Sequence, residues 1–113
     1  MSFFSSIWDA IKRLLSTVGR LIKRIVVSVL NFAKHVVTWF KLLNLNPSKQ
    51  TPFIIDAKKL EKAPRYNCGI FAGVYDKETE SITECEIIEA DKLDSKTKSV
   101  LGNASEDGIV VLS

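Results

Sequence analysis

Few residues in this chain are of a type and spacing that could carry chemistry. Its 113 residues hold one histidine, His35, and two cysteines, Cys68 and Cys85. A Ser–His–Asp relay or a Cys–His pair would have to use His35, and no nucleophile motif or local spacing brings it a partner. His35 sits instead in an apolar stretch, where a satisfied or lipid-facing imidazole outranks a ligand or a pH switch. Two cysteines and one histidine have neither the number nor the spacing of a structural zinc site. They are also too few for a disulfide scaffold, so Cys68 and Cys85 read as small buried hydrophobes on facing strands. The acids Glu78, Glu80, Glu84, Glu86, Glu89, Asp91 and Asp94 are dense. They lack the Asp-x-Asp-x-Asp-Gly loop of a calcium site and read as a solvated face. No glycine-rich loop precedes a helix in a βα unit, so the common phosphate cradle is absent. The residues therefore name no catalytic group, no metal ligand and no cofactor, and the expectation is a non-enzyme.

The remaining polar chemistry is basic and lies near the amino terminus. Residues 1–44 carry seven cations against Asp9, a balance of +6, whereas residues 45–113 balance at −3. Such asymmetry suits an anionic partner: lipid headgroups, nucleic acid or an acidic protein. The simpler alternative is that the charges keep an apolar helix in solution. Arg13, Thr17, Arg20, Arg24, Asn31, Lys34, Thr38 and Lys41 recur at spacings of three, four or seven, which puts them on one side of a continuous helix. They are not interleaved with exposed aromatics on a sheet, so nucleic acid ranks below lipid as a partner.

A long helix is the element that would position this stripe. From Ser2 to Asn44 there is no proline and a single glycine, Gly19. Phe4, Trp8, Ile11, Leu15, Val18, Ile22, Ile25, Val29, Phe32, Val36, Trp39 and Leu43 form a seam of 3.5-residue period. The first half is a basic amphipathic helix; beyond Ile25 the apolar residues spread around it, more than a two-stranded coiled coil buries. A helix of this length would run roughly 65 Å, about twice the hydrocarbon thickness of a bilayer. Gly19 is the natural bend, leaving Leu21–Leu45 to enter or cross a membrane. Lys34 and Asn31 would then lie at mid-depth, which demands a bundle interior or water.

Asn44 to Pro52 reads as a turn and linker. Asp56 caps a short helix through Ala57–Lys62, stopped by Pro64, and Phe53–Ile55 is a short strand or docking anchor. Cys68–Tyr75 and Ile82–Glu89 make a β-hairpin, with Glu84, Glu86 and Glu89 on its solvent face. A helix follows over Asp91–Leu101, capped by Asp91 or Asp94 and ended at Gly102-Asn103. Ile109–Leu112 is a strand apolar enough to pair centrally in a sheet or with another subunit. The expected architecture is α+β: a long helix (1–45), a linker with a short helix (46–66), and a small α+β cap module (67–113).

This layout predicts a protein that works by association with itself. The leading expectation is a homo-oligomeric, membrane-associated protein at the cytoplasmic face or inner membrane. It would form a channel or perturb the bilayer through the seam, with Arg13, Arg20, Arg24, Asn31, Lys34, Thr38 and Lys41 lining a pore or meeting anionic headgroups. The other expectation is a self-assembling structural protein, a helical bundle or tube in a scaffold or virion. The amino terminus lacks the basic n-region and cleavage site of a secretory signal.

Overall fold

The computed structural model of the chain describes residues 3–18, 22–59, 68–104 and 108–112, and all of their side chains but those of residues 3, 4, 17 and 18. The apolar periodicity of the first 44 residues is realised as separate elements, not as one helix. α1 (Phe3–Val18) is an amphipathic helix. β1 (Lys23–Leu30) is an extended strand. A π-helical segment, Phe32–Val37, then continues as α2 (Thr38–Leu43). The expected helix over 1–45 is therefore corrected, and the coiled coil and membrane span built on it fall too. No helix among the described residues is long and apolar enough to cross a membrane. The bend expected at Gly19 lies outside the described residues.

The reason is local. Ile25, Val26, Val27 and Val29 are β-branched, stiff at χ1, and favour a pleated surface over a helix. An apolar run with few polar breaks satisfies a 3.5-residue spacing and a two-residue alternation together, so periodicity does not separate them. Asn31 then starts a new helical segment. Its Oδ1 accepts the Lys34 N–H at 2.9 Å, while its own N–H donates to His35 Nδ1 at 2.9 Å. This reciprocal arrangement resembles a capping box, with histidine in place of the acid.

β1 joins β2 (Gln50–Asp56), β3 (Cys68–Asp76), β4 (Ser81–Leu93) and β5 (Ile109–Val111) in one five-stranded sheet of order β1-β4-β3-β2-β5. β1 runs parallel to β4; the other pairs are antiparallel. The β3–β4 hairpin is predicted by the sequence, but β4 runs on to Leu93, so residues 91–93, expected to open the next helix, are strand. Asp76 Oδ1 accepts the Glu78 and Thr79 N–H groups at 2.8 and 3.1 Å to turn the chain. The short helix expected after Asp56 is a 3₁₀ turn, Ala57–Lys59, held by the Lys58 N–H on Asp56 Oδ1; Leu60 to Lys62 lie outside the described residues. The terminal strand is not central. It borders β2 at the sheet edge.

α3 (Ser95–Gly102) begins at Asp94, one of the two predicted caps. One oxygen of this carboxylate accepts the Thr97 N–H at 2.9 Å and the other the Phe32 N–H at 3.1 Å. One side chain thus starts two helical segments. Burial raises the Asp94 pKa, but the Thr97 and Phe32 hydrogen bonds outweigh it and hold the carboxyl below its usual range.

Each face of the sheet carries a core. Ile7, Ala10 and Ile11 of α1 pack with Ile22, Phe53, Ile55, Phe71, Tyr75, Ile87 and Ile109. On the other face Phe32 and Val36 pack with Leu30, Ile54, Ile70, Ala72, Ile88 and Ala90, flanked by Val100 and Leu101 of α3. Neighbours such as Ile54 and Ile55, or Ile87 and Ile88, belong to opposite cores, as strand alternation requires. Full burial of each such side chain is worth about 1.5–3 kcal/mol. The α+β class stands; what changes is that the amino-terminal elements flank and extend the sheet.

Candidate functional site

β1 is an edge strand, and no second strand covers it among the described residues. Among the described residues it pairs only with β4, so its second row of backbone N–H and C=O groups faces outward. Natural edges are blunted by proline, central lysine, a bulge or shortness. β1 is eight residues long, Lys-Arg-Ile-Val-Val-Ser-Val-Leu, with its cations confined to the first two positions. Val26 is 52% exposed and Val29 38% exposed. The β5 edge is only three residues long, and the Leu112 N–H just beyond it donates to Pro52 O at 2.9 Å.

Two buried acids of β4 lie beside the basic end of β1. Arg24 donates to Glu89 Oε1 at 2.6 Å, and the Glu89 side chain is 1% exposed. Lys23 lies in register with Glu86, which is 3% exposed. Burial pushes the Glu86 carboxyl above its usual pKa, and the nearby Lys23 charge pulls it partly back. Adjacent positions on β1 point to opposite faces, so the Arg24–Glu89 ion pair and the Lys23 charge near Glu86 fall on opposite sides of the sheet. The acidic solvent face predicted for the hairpin is corrected: Glu84 is exposed, but Glu86 and Glu89 are buried. β4 has a neighbour on each side, which covers these positions.

The predicted seam is divided between the two cores. Ile11 and Ile22 are buried on the α1 side, with Trp8 and Leu15 packed against them. Phe32 and Val36 are buried on the other side, where Trp39 packs. Ile25 and Val29 lie on the edge strand, and Leu43 is half-buried at the end of α2. The side chains of Phe4 and Val18 lie outside the described set. The polar stripe is likewise dispersed. Arg13 donates to Glu80 O at 2.7 Å, Arg24 to Glu89, and Thr38 Oγ1 to Ala33 O at 3.0 Å. Asn31 is a cap, Lys34 and Lys41 are exposed, and Arg20 lies outside the described residues. Leu42, beside Lys41, is 78% exposed.

The reactive side chains are scattered. His35 Nδ1 is engaged by the Asn31 N–H at 2.9 Å. Cys68 is opposite Ala90 and Cys85 opposite Gly73, on different cores, so the two free thiols do not meet. Burial, with Glu84 and Glu86 adding to it, pushes the Cys85 thiol up to about 11; burial also raises Cys68. Among the described residues no three His, Cys, Asp or Glu side chains converge on a metal position. An open groove of about 500 Å³ between α1 and the 3₁₀ turn is lined by Ser5, Trp8, Asp9, Lys12 and Lys59, a mixed-charge set that selects no one ligand class.

The open β1 edge is thus the feature that chemistry leaves unsatisfied, in a mixed five-stranded sheet with helices on both faces. No protein-family model, no curated protein and no solved structure matches this chain.

Proposed function

We propose that this protein catalyses no reaction and acts by associating with copies of itself through β1, as a self-assembling structural or scaffold protein. The observation that supports this is the unblunted edge, where Val26 and Val29 flank outward backbone groups that only another strand satisfies in ladder geometry. A non-enzymatic role is consistent with an imidazole nitrogen engaged by Asn31 and with thiols held protonated by burial.

Light scattering on a sizing column tests it. The wild-type mass is expected to rise with concentration above the 12.6 kDa of one chain. Val26→Lys and Val29→Lys place charge on the edge, as natural edges do, and are expected to hold the protein at one chain with an unchanged circular dichroism spectrum. A wild type that stays at one chain throughout, or lysine variants that assemble like it, would overturn the proposal.

A further inference from the structure

We infer that the β1 edge is completed by one second copy of this chain, antiparallel and centred on Val26, in a closed two-fold dimer. The inference rests on the self-association proposed above and specifies its partner and geometry.

Symmetry and charge decide the direction. Copies in one continuous sheet are related either by a two-fold axis along the strands, which pairs β1 with β1 in parallel, or by one perpendicular to the sheet, which pairs them antiparallel. The parallel arrangement puts Lys23 beside Lys23 and Arg24 beside Arg24 of the other copy, and directly opposed like charges destabilise a sheet. The antiparallel arrangement sends the two basic ends apart. A perpendicular axis also keeps each face on its own side, so paired residues must share a face. Their numbers must therefore both be odd or both be even, and one residue meets its own copy on the axis.

Leu30 is fully buried and the π-helical segment begins at Phe32, so the strand available to a partner ends at Val29. The midpoint of Lys23 to Val29 is Val26, the more exposed of the two edge valines. This centre sets Ile25 against Val27 and sends Lys23 and Arg24 of the two copies to opposite ends of the ladder. β-Branched residues thus meet each other, and no charge meets its like.

Closure follows from the other edge. Head-to-tail growth would need β1 to pair with β5, which offers three residues, Ile109–Val111. An isologous β1–β1 contact instead uses the whole free strand and closes on itself.

Cysteine cross-linking of the full chain, with linked peptides mapped to separate them from Cys68 and Cys85, tests the register. Residues facing each other across a ladder lie about 4.5–5.5 Å apart at Cα, within disulfide reach. Val26→Cys is expected to link to its own copy under mild oxidation. Lys23→Cys alone is expected not to link, its copies lying roughly 20 Å apart at 3.3 Å per residue. The double variant Ile25→Cys/Val27→Cys is expected to link between copies, and the wild-type mass to stop at two chains. Self-linking by Lys23→Cys alone would show the parallel arrangement and overturn the inference while leaving self-association through β1 intact. So would a mass that climbs past two chains and is abolished by Val26→Lys. Assembly unaffected by Val26→Lys, or a wild type that stays at one chain, would overturn both.

Discussion

Glu86 is the side chain whose burial costs the fold most plainly. It is 97% removed from solvent, no hydrogen bond to it is formed among the described residues, and its pKa is raised from 4.5. A carboxyl raised on folding binds its proton more tightly in the folded chain. Its favourable contribution is fully present below the unfolded value and is lost as pH rises through the folded one. Glu86→Gln should therefore be more stable than wild type at pH 7 in urea unfolding, with the difference shrinking towards pH 4. Equal midpoints at pH 7 would contradict the assignment. Cys85 offers a second check at this scale. A thiol held near 11 has little thiolate at neutral pH. Its alkylation at pH 7.5 should be slow in the native protein and should accelerate with sub-denaturing urea, tracking the opening of the β3–β4 hairpin. Rapid labelling without denaturant would place the thiol outside the core.

Two glycines in β3 show how tightly the sheet is packed. A Cβ on Gly69 would lie 2.7 Å from the backbone oxygen of Ile88, and one on Gly73 2.7 Å from Phe53 Cζ. Overpacking costs about 1–3 kcal/mol, and a side chain yields more readily than a ladder carbonyl. Gly69→Ala should therefore lower stability more than Gly73→Ala in chemical unfolding, and the reverse order would contradict the β3–β4 register. This hairpin, α3 and its Asp94 cap were legible in the chain because turn and cap residues act over a few positions. β1 was not. Its pairing with β4 joins Lys23 to Glu86 across more than sixty residues, and nothing local separates Ile25–Leu30 from a helix. The Asn31–His35 cap carried the missing signal, since a helix start at Asn31 implies that the preceding segment is something else. Parity also bears on the acids: Glu89 differs from Glu84 and Glu86, so an alternating strand cannot present all three to water.

At the scale of the molecule, the apolar excess of the first 44 residues finds most of its cover within the chain. Ile7, Ile11 and Ile22 enter one core, and Leu30, Phe32 and Val36 the other. Among the described residues, what stays outside is small and specific: Val26, Val29 and Leu42, with Val111 at the far edge. A continuous helix needed lipid or a bundle to bury its whole surface; among the described residues the sheet leaves two edges, the eight-residue β1 and the three-residue β5. The candidate site was therefore legible only in part. Self-association is predicted in both descriptions, but the surface shifts from a helical seam to a strand, and strand order is a long-range property that composition does not encode.

Amide hydrogen exchange at two protein concentrations probes that edge directly. At high dilution the outward N–H groups of residues 23–29 should exchange rapidly while those turned to β4 remain protected. At high concentration the outward set should gain protection, with the three residues of β5 unchanged. Protection of residues 23–29 that is independent of concentration, or an unbroken helical pattern through Gly19 and Asn31, would contradict the open edge strand and the assembly built on it.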